Sequence, residues 1–81
     1  MTAPDPLTAL DALFAELIEQ QRLRVLAEAR RRDASLTDDD VAQPHDFPAL
    51  ASDPAWQYED GVLAGYRAAH MAVRARLLRG T

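Results

Sequence analysis

The sequence predicts an all-α protein, a helical hairpin of two long antiparallel helices joined by an ordered connector with a short helix. Two long segments carry apolar residues at helical spacing, and an Asp-Pro pair precedes each of them. No stretch shows the alternation that is typical of a strand. We expect one helical domain, 1–81, with a long helix at 6–32, a connector at 33–53 and a long helix at 54–79.

The chain is short for a stable hydrophobic core. A protein of 81 residues buries only a little over about 60% of the surface that its unfolded chain exposes. It has no cysteine, so neither a disulfide nor a thiolate metal site can reinforce the fold. Oligomerisation is a common alternative for chains of this size. We therefore expect two hairpins to pair into a four-helix bundle homodimer.

The composition argues against several classes of function. The net charge of −4 disfavours a general nucleic-acid binder, and the absence of lysine excludes a Schiff-base or phosphate-loop lysine. No apolar run approaches the roughly 20 residues of a membrane span. The first ten residues lack the basic start and apolar block of a secretory signal. We expect a soluble cytoplasmic protein without nucleic-acid or membrane partners.

The first long helix begins at Asp5-Pro6, after a start at 1–5 that we expect to be frayed. Aspartate is a favoured N-cap, and proline suits the first helical position. One face of the helix carries the apolar residues Leu7, Leu10, Leu13, Phe14, Leu17, Ile18 and Val25. Gln21 interrupts that face, where an amide either sets the register of a helical oligomer or lies at a wet edge. Leu23 and Leu26 fall outside the face and indicate a second contact.

Three arginines, at 30–32, close the first helix. They complement the negative end of the helix dipole, and Glu28 can pair with Arg31 or Arg32. A phosphate-binding patch and a contact with another protein are the alternatives.

The connector is expected to be ordered. Thr37 followed by three aspartates predicts a short helix near 37–43, which Pro44 can end. Residues 45–50 predict an ordered turn. We expect the connector to pack across the long helices through its four large apolar residues, Leu36, Val41, Phe47 and Leu50. Trp56 is expected to anchor it further.

The second long helix carries two apolar stripes, and we expect Gly80 to end it. The stripe of large residues comprises Val62, Tyr66, Ala69, Val73 and Leu77. The other, here called the small-residue stripe, comprises Gly61, Gly65, Ala68, Ala72 and Ala75. Glycine inside a helix destabilises it by about 1 kcal/mol relative to alanine. Close packing of another helix against the glycines would offset this loss. Either a symmetric partner or Phe47, Leu50 or Trp56 of the same chain could cover this stripe.

Residues with catalytic or metal-binding chemistry are present, but their spacing is unfavourable. The acidic run at 38–40 with His45 and Asp46 lacks the alternating acids and the glycine of a calcium loop. Glu59 and His70 lie about 16 Å apart along one helix and cannot form an acid–base pair. A histidine on an apolar face is more often a packing residue. We expect no enzymatic activity, cofactor or metal.

The sequence therefore favours a small non-catalytic cytoplasmic interaction protein, an adaptor or regulator that acts through helical packing surfaces. Its partner is itself, as a homodimer, or another helical protein. The residues expected to bind the partner are Trp56, Leu23, Gly61, Gly65, Ala68, Ala72 and Ala75. The alternative is a small ligand- or metal-binding helical bundle that uses His45, Asp46, Glu59 and His70.

Overall fold

Two long helices pack against each other, which confirms the expected all-α helical hairpin of one chain. The computed structural model describes residues 5–79, so residues 1–4, expected to be frayed, and Gly80, expected as a helix stop, lie outside the described part. The elements in chain order are α1 (Pro6–Arg30), α2 (Asp38–Val41), a 3₁₀ turn (Pro44–Asp46), α3 (Pro48–Ala51) and α4 (Pro54–Leu78). The described residues form no strand. None of these helices is both long and apolar enough to cross a membrane.

Both long helices begin at an Asp-Pro pair. The Asp5 carboxylate accepts the backbone N–H groups of Leu7 at 2.9 Å and Thr8 at 3.1 Å. The Asp53 carboxylate accepts the backbone N–H of Trp56 at 2.9 Å. Each aspartate therefore satisfies N–H groups that have no partner within the helix, as the sequence predicts.

The helix ends differ slightly from the expected ranges. Helix α1 ends at Arg30, whereas the sequence predicts residue 32. The α-helical hydrogen bonding changes there to a 3₁₀-type bond, in which the Arg32 N–H donates to the Ala29 carbonyl, three residues back, at 3.0 Å. Helix α4 ends at Leu78, against an expected 79.

The connector contains three single helical turns, α2, the 3₁₀ turn and α3, joined by short non-helical segments. Helix α2 falls inside the expected 37–43, and a capping box starts it: the Thr37 hydroxyl accepts the Asp40 N–H, and the Asp40 carboxylate accepts the Thr37 N–H. The segment expected as a turn at 45–50 contains part of the 3₁₀ turn and most of α3.

The core lies at the connector end of the hairpin, here called the closed half. All eight buried residues among those described fall between positions 21 and 63: Gln21, Val25, Leu26, Ala29, Leu36, Leu50, Trp56 and Leu63. Leu36 and Leu50 of the connector pack into this cluster, and Val41 and Phe47 pack against it. The predicted packing of the connector across the long helices is confirmed.

Gln21 joins the two long helices inside the closed half. Its side chain is only 5% exposed, and its amide donates to the backbone carbonyl of Glu59 at 2.8 Å and to the Glu59 carboxylate at 2.7 Å. A wet edge is therefore excluded. The amide fixes how α1 and α4 are aligned within one chain.

The open half of the hairpin, before Gln21 on α1 and after Leu63 on α4, has no buried residue in the described range. A polar cluster links the helices there. The Asp11 carboxylate bonds to the His70 ring at 2.7 Å and accepts from Arg74 at 2.5 Å. The Phe14 and His70 rings stack with centroids 4.9 Å apart. Two helices without a third layer thus leave their apolar contact half-exposed.

Candidate interaction surfaces

The small-residue stripe lies on the side of α4 that faces away from α1. At 100° per residue, its five positions fall within about 60° of the direction opposite the buried Leu63. All five residues are exposed. A Cβ atom placed on Gly61 or Gly65 would meet no atom within 4 Å. The expectation that Phe47, Leu50 or Trp56 could cover the stripe is therefore wrong, because those side chains pack on the opposite side.

This stripe is uncharged and nearly flat. From Gly61 to Ala75 it runs about 21 Å along the helix, and no side chain on it extends beyond a methyl group. A helix face that points to solvent is normally rich in charged residues. Another helix could thus approach the α4 backbone closely along this face.

The two other residues expected to bind a partner lie elsewhere. Trp56 is 4% exposed and belongs to the core. Leu23 is 50% exposed, and its position two residues from both Gln21 and Val25 places it on the side of α1 that faces away from α4. The structure therefore does not bring Leu23 or Trp56 together with the small-residue stripe. Leu26, also expected in a second contact, is buried.

A second uncovered surface runs along the open half, and the sequence reasoning did not identify it as a site. We call it the apolar seam; it comprises Leu10, Leu13 and Leu17 of α1 and Ala69, Val73 and Leu77 of α4. Leu13 is 48% exposed. An open groove of about 350 Å³ lies between the two helices here and is lined by Leu10, Ala72, Val73, Arg76 and Leu77. The groove therefore borders the small-residue stripe at Ala72.

The four residues of the ligand-binding alternative have different surroundings. His45 lies 3.5 Å from its neighbour Asp46, and both are exposed. Glu59 accepts from Gln21, and His70 bonds to Asp11. Within residues 5–79 no three His, Cys, Asp or Glu side chains are placed to hold a metal ion.

Asp11 is a carboxylate of the open half whose charge is stabilised by contacts between the two long helices. The hydrogen bond to His70, followed by the one to Arg74, holds the pKa of Asp11 below its usual value, against a smaller opposing effect of desolvation. No sequence motif identifies this trio, because Asp11 and His70 are 59 residues apart.

The arginines that close α1 bind the protein itself. The Arg30 side chain donates to the Leu36 carbonyl at 2.8 Å, and Arg32 pairs with Asp53 at 2.5 Å. Arg31 lies 3.4 Å from Glu28, one of the two pairings that the spacing allowed. The contacts of Arg30 and Arg32 tie the helix end to the connector and to the start of α4.

Comparison with known protein families, with curated proteins and with solved structures finds no match for this chain.

Proposed function

We propose that this chain is a small non-catalytic interaction protein, an adaptor or regulator that acts in the cytoplasm through helical packing surfaces. The observation that carries the proposal is the small-residue stripe, an exposed and uncharged face on the outer side of α4. Glycine at an exposed helical position costs about 1 kcal/mol relative to alanine, and two such positions occur here, at Gly61 and Gly65. Close packing of a partner helix would offset this destabilisation.

The partner is a helix that lies along the stripe. Its side chains would contact the backbone of α4 directly, since Gly61, Gly65 and Ala68 leave no bulk between them. Trp56 does not belong to this surface because it is buried. Leu23 lies on the other edge of the hairpin and would contact neither the helix on the stripe nor a second hairpin, but a different molecule.

Two hairpins also associate with each other in this proposal and form the four-helix bundle homodimer. The support is the uneven burial of the chain, because the open half has no buried residue in the described range. A helix has to bury its apolar face against another element, and a second hairpin would supply that layer.

A comparative capture experiment tests the role of the stripe. The parent chain, Gly65→Leu and the control Ala12→Leu would be immobilised and exposed to an extract of the native host. Ala12 is an exposed residue of α1, outside the stripe. Gly65→Leu should fold normally, because the space around Gly65 is empty. We expect at least one helical protein to bind the parent and the control but not Gly65→Leu.

The captured protein would then be purified and its affinity for the three chains measured by calorimetry. Loss of affinity with Gly65→Leu alone would support the stripe as the binding surface. If all three chains capture the same proteins with the same affinities, the stripe is not an interaction surface.

A further inference from the structure

The open half of the hairpin exposes apolar surface that its own two helices cannot cover. All six residues of the apolar seam remain at least partly exposed, in contrast to the buried cluster of the closed half. In the closed half the connector supplies a third layer over α1 and α4. In the open half no such layer is present among the described residues, and the groove between Leu10, Val73 and Leu77 stays open.

Charge is separated between the two helices in this same half. Residues 5–21 contain four acids and no basic residue: Asp5, Asp11, Glu16 and Glu19. Residues 61–79 contain four arginines and no acid: Arg67, Arg74, Arg76 and Arg79. Asp11 and Arg74 already pair with each other within the chain, and Glu19 pairs with Arg22. The remaining charges still leave a negative excess on the open half of α1 and a positive excess on that of α4, which is a self-complementary pattern along the two helices.

We infer that a second copy of this chain covers the apolar seam, with α1 of each copy against α4 of the other. This inference rests on the homodimer proposed above and specifies its surface and its helix order. The two-fold axis then runs parallel to the helices, and both connectors lie at the same end of the bundle.

Charge decides between the two ways of stacking the hairpins face to face. In the order inferred here, each acidic α1 segment lies against a basic α4 segment. In the other order, α1 packs on α1 and α4 on α4, which brings like charges together across both contacts. Such like-charge juxtaposition across an interface disfavours that order. Both orders keep neighbouring helices antiparallel, so only the charges distinguish them.

The contacts within one chain define which residues lie level with each other. Gln21 bonds to Glu59 and Asp11 bonds to His70, so Leu13 lies level with about residue 68 and nearest to Ala69 among the seam residues of α4. In the inferred dimer, Leu13 therefore contacts the α4 helix of the other copy near position 69 or, one turn further, position 73.

Cysteine cross-linking tests this order without interference, because the chain has no native cysteine. Leu13→Cys would be mixed with Ala69→Cys or with Val73→Cys, and each mixture would be oxidised. A disulfide requires Cα atoms about 4.4–6.8 Å apart. We expect a covalent dimer that joins one chain of each variant in at least one mixture, and none with any of the three variants alone. A covalent dimer with Leu13→Cys alone, or no covalent dimer in any sample, would overturn the inferred order.

A matched pair of leucines tests the surface itself. Leu13 and Leu23 are 48% and 50% exposed on α1, but only Leu13 belongs to the seam. By light scattering, we expect the parent and Leu23→Arg to have twice the chain mass of 9.0 kDa, and Leu13→Arg to have the chain mass with its helical circular dichroism retained.

The outcomes separate the two proposals. A monomeric parent would overturn the homodimer and this inference together. A dimeric Leu13→Arg variant would overturn only the seam and leave the homodimer in place. If Leu13→Arg fails to fold, the cross-linking pattern still decides the inference.

Discussion

Replacing Gln21 with methionine should lower the stability of the hairpin without changing its fold. The Gln21 amide is 5% exposed and makes two hydrogen bonds to Glu59, at 2.8 and 2.7 Å. A bond to a charged group contributes about 1.5–3 kcal/mol and one to a neutral carbonyl about 0.5–1.5 kcal/mol. Methionine has a similar length, and burial of its apolar atoms recovers about 1 kcal/mol. Water can also reach the half-buried Glu59 carboxylate, so we expect a net loss of about 1–2 kcal/mol.

Thermal unfolding followed by circular dichroism measures this loss. For a domain of this size, about 1–2 kcal/mol corresponds to a decrease in Tm of roughly 4–16 °C. Glu59→Gln, which keeps an acceptor at the same position, should lower Tm by less than Gln21→Met. In a double-mutant cycle with Gln21→Met and Glu59→Ala, the two changes should not be additive. A Gln21→Met variant as stable as the parent, or strict additivity in the cycle, would refute the proposed role of this amide.

Two further predictions concern Trp56 and Asp11. Trp56→Ala should lower the free energy of unfolding by about 3–5 kcal/mol. Trp56→Phe should lower this free energy much less, because the buried indole N–H that is lost has no hydrogen-bond partner among the described residues. Equal losses for the two variants in denaturant titrations would contradict this prediction. His70 and then Arg74 lower the pKa of Asp11, so the stabilisation from this carboxylate is present above its unfolded value of about 3.9 and is lost as the pH falls through the lowered pKa. Asp11→Asn should therefore reduce the fall in Tm below about pH 4, and an unchanged pH profile relative to the parent would contradict the assignment.

The helices and the connector could be predicted because their signals are local. Asp5-Pro6 and Asp53-Pro54 mark helix starts through hydrogen bonds that reach no further than three residues. The capping box of Thr37 and Asp40 has the same short range. The packing of the apolar connector residues was predictable because a structured linker of this length needs apolar contacts with the long helices.

The contacts between the long helices could not be predicted, because they depend on how the helices are aligned. Gln21 meets Glu59 across 38 residues of sequence, and helical periodicity defines faces but not their relative height. The periodicity of α4 also gives two apolar stripes without showing which one α1 covers. The structure shows that α1 covers the stripe of large residues only in part, since Ala69 is exposed and Val73 and Leu77 line an open groove, and that the small-residue stripe lies outside.

Association of the unmodified chain is measured most directly by sedimentation equilibrium over a range of concentrations. We predict a species of twice the 9.0 kDa chain mass at tens of micromolar, since the apolar seam of the open half needs a second layer. On dilution the mass should fall toward that of the single chain, while raising the salt concentration should weaken the dimer by screening the acidic and basic segments. A mass of 9.0 kDa at every concentration, with the helical content intact, would contradict the homodimer.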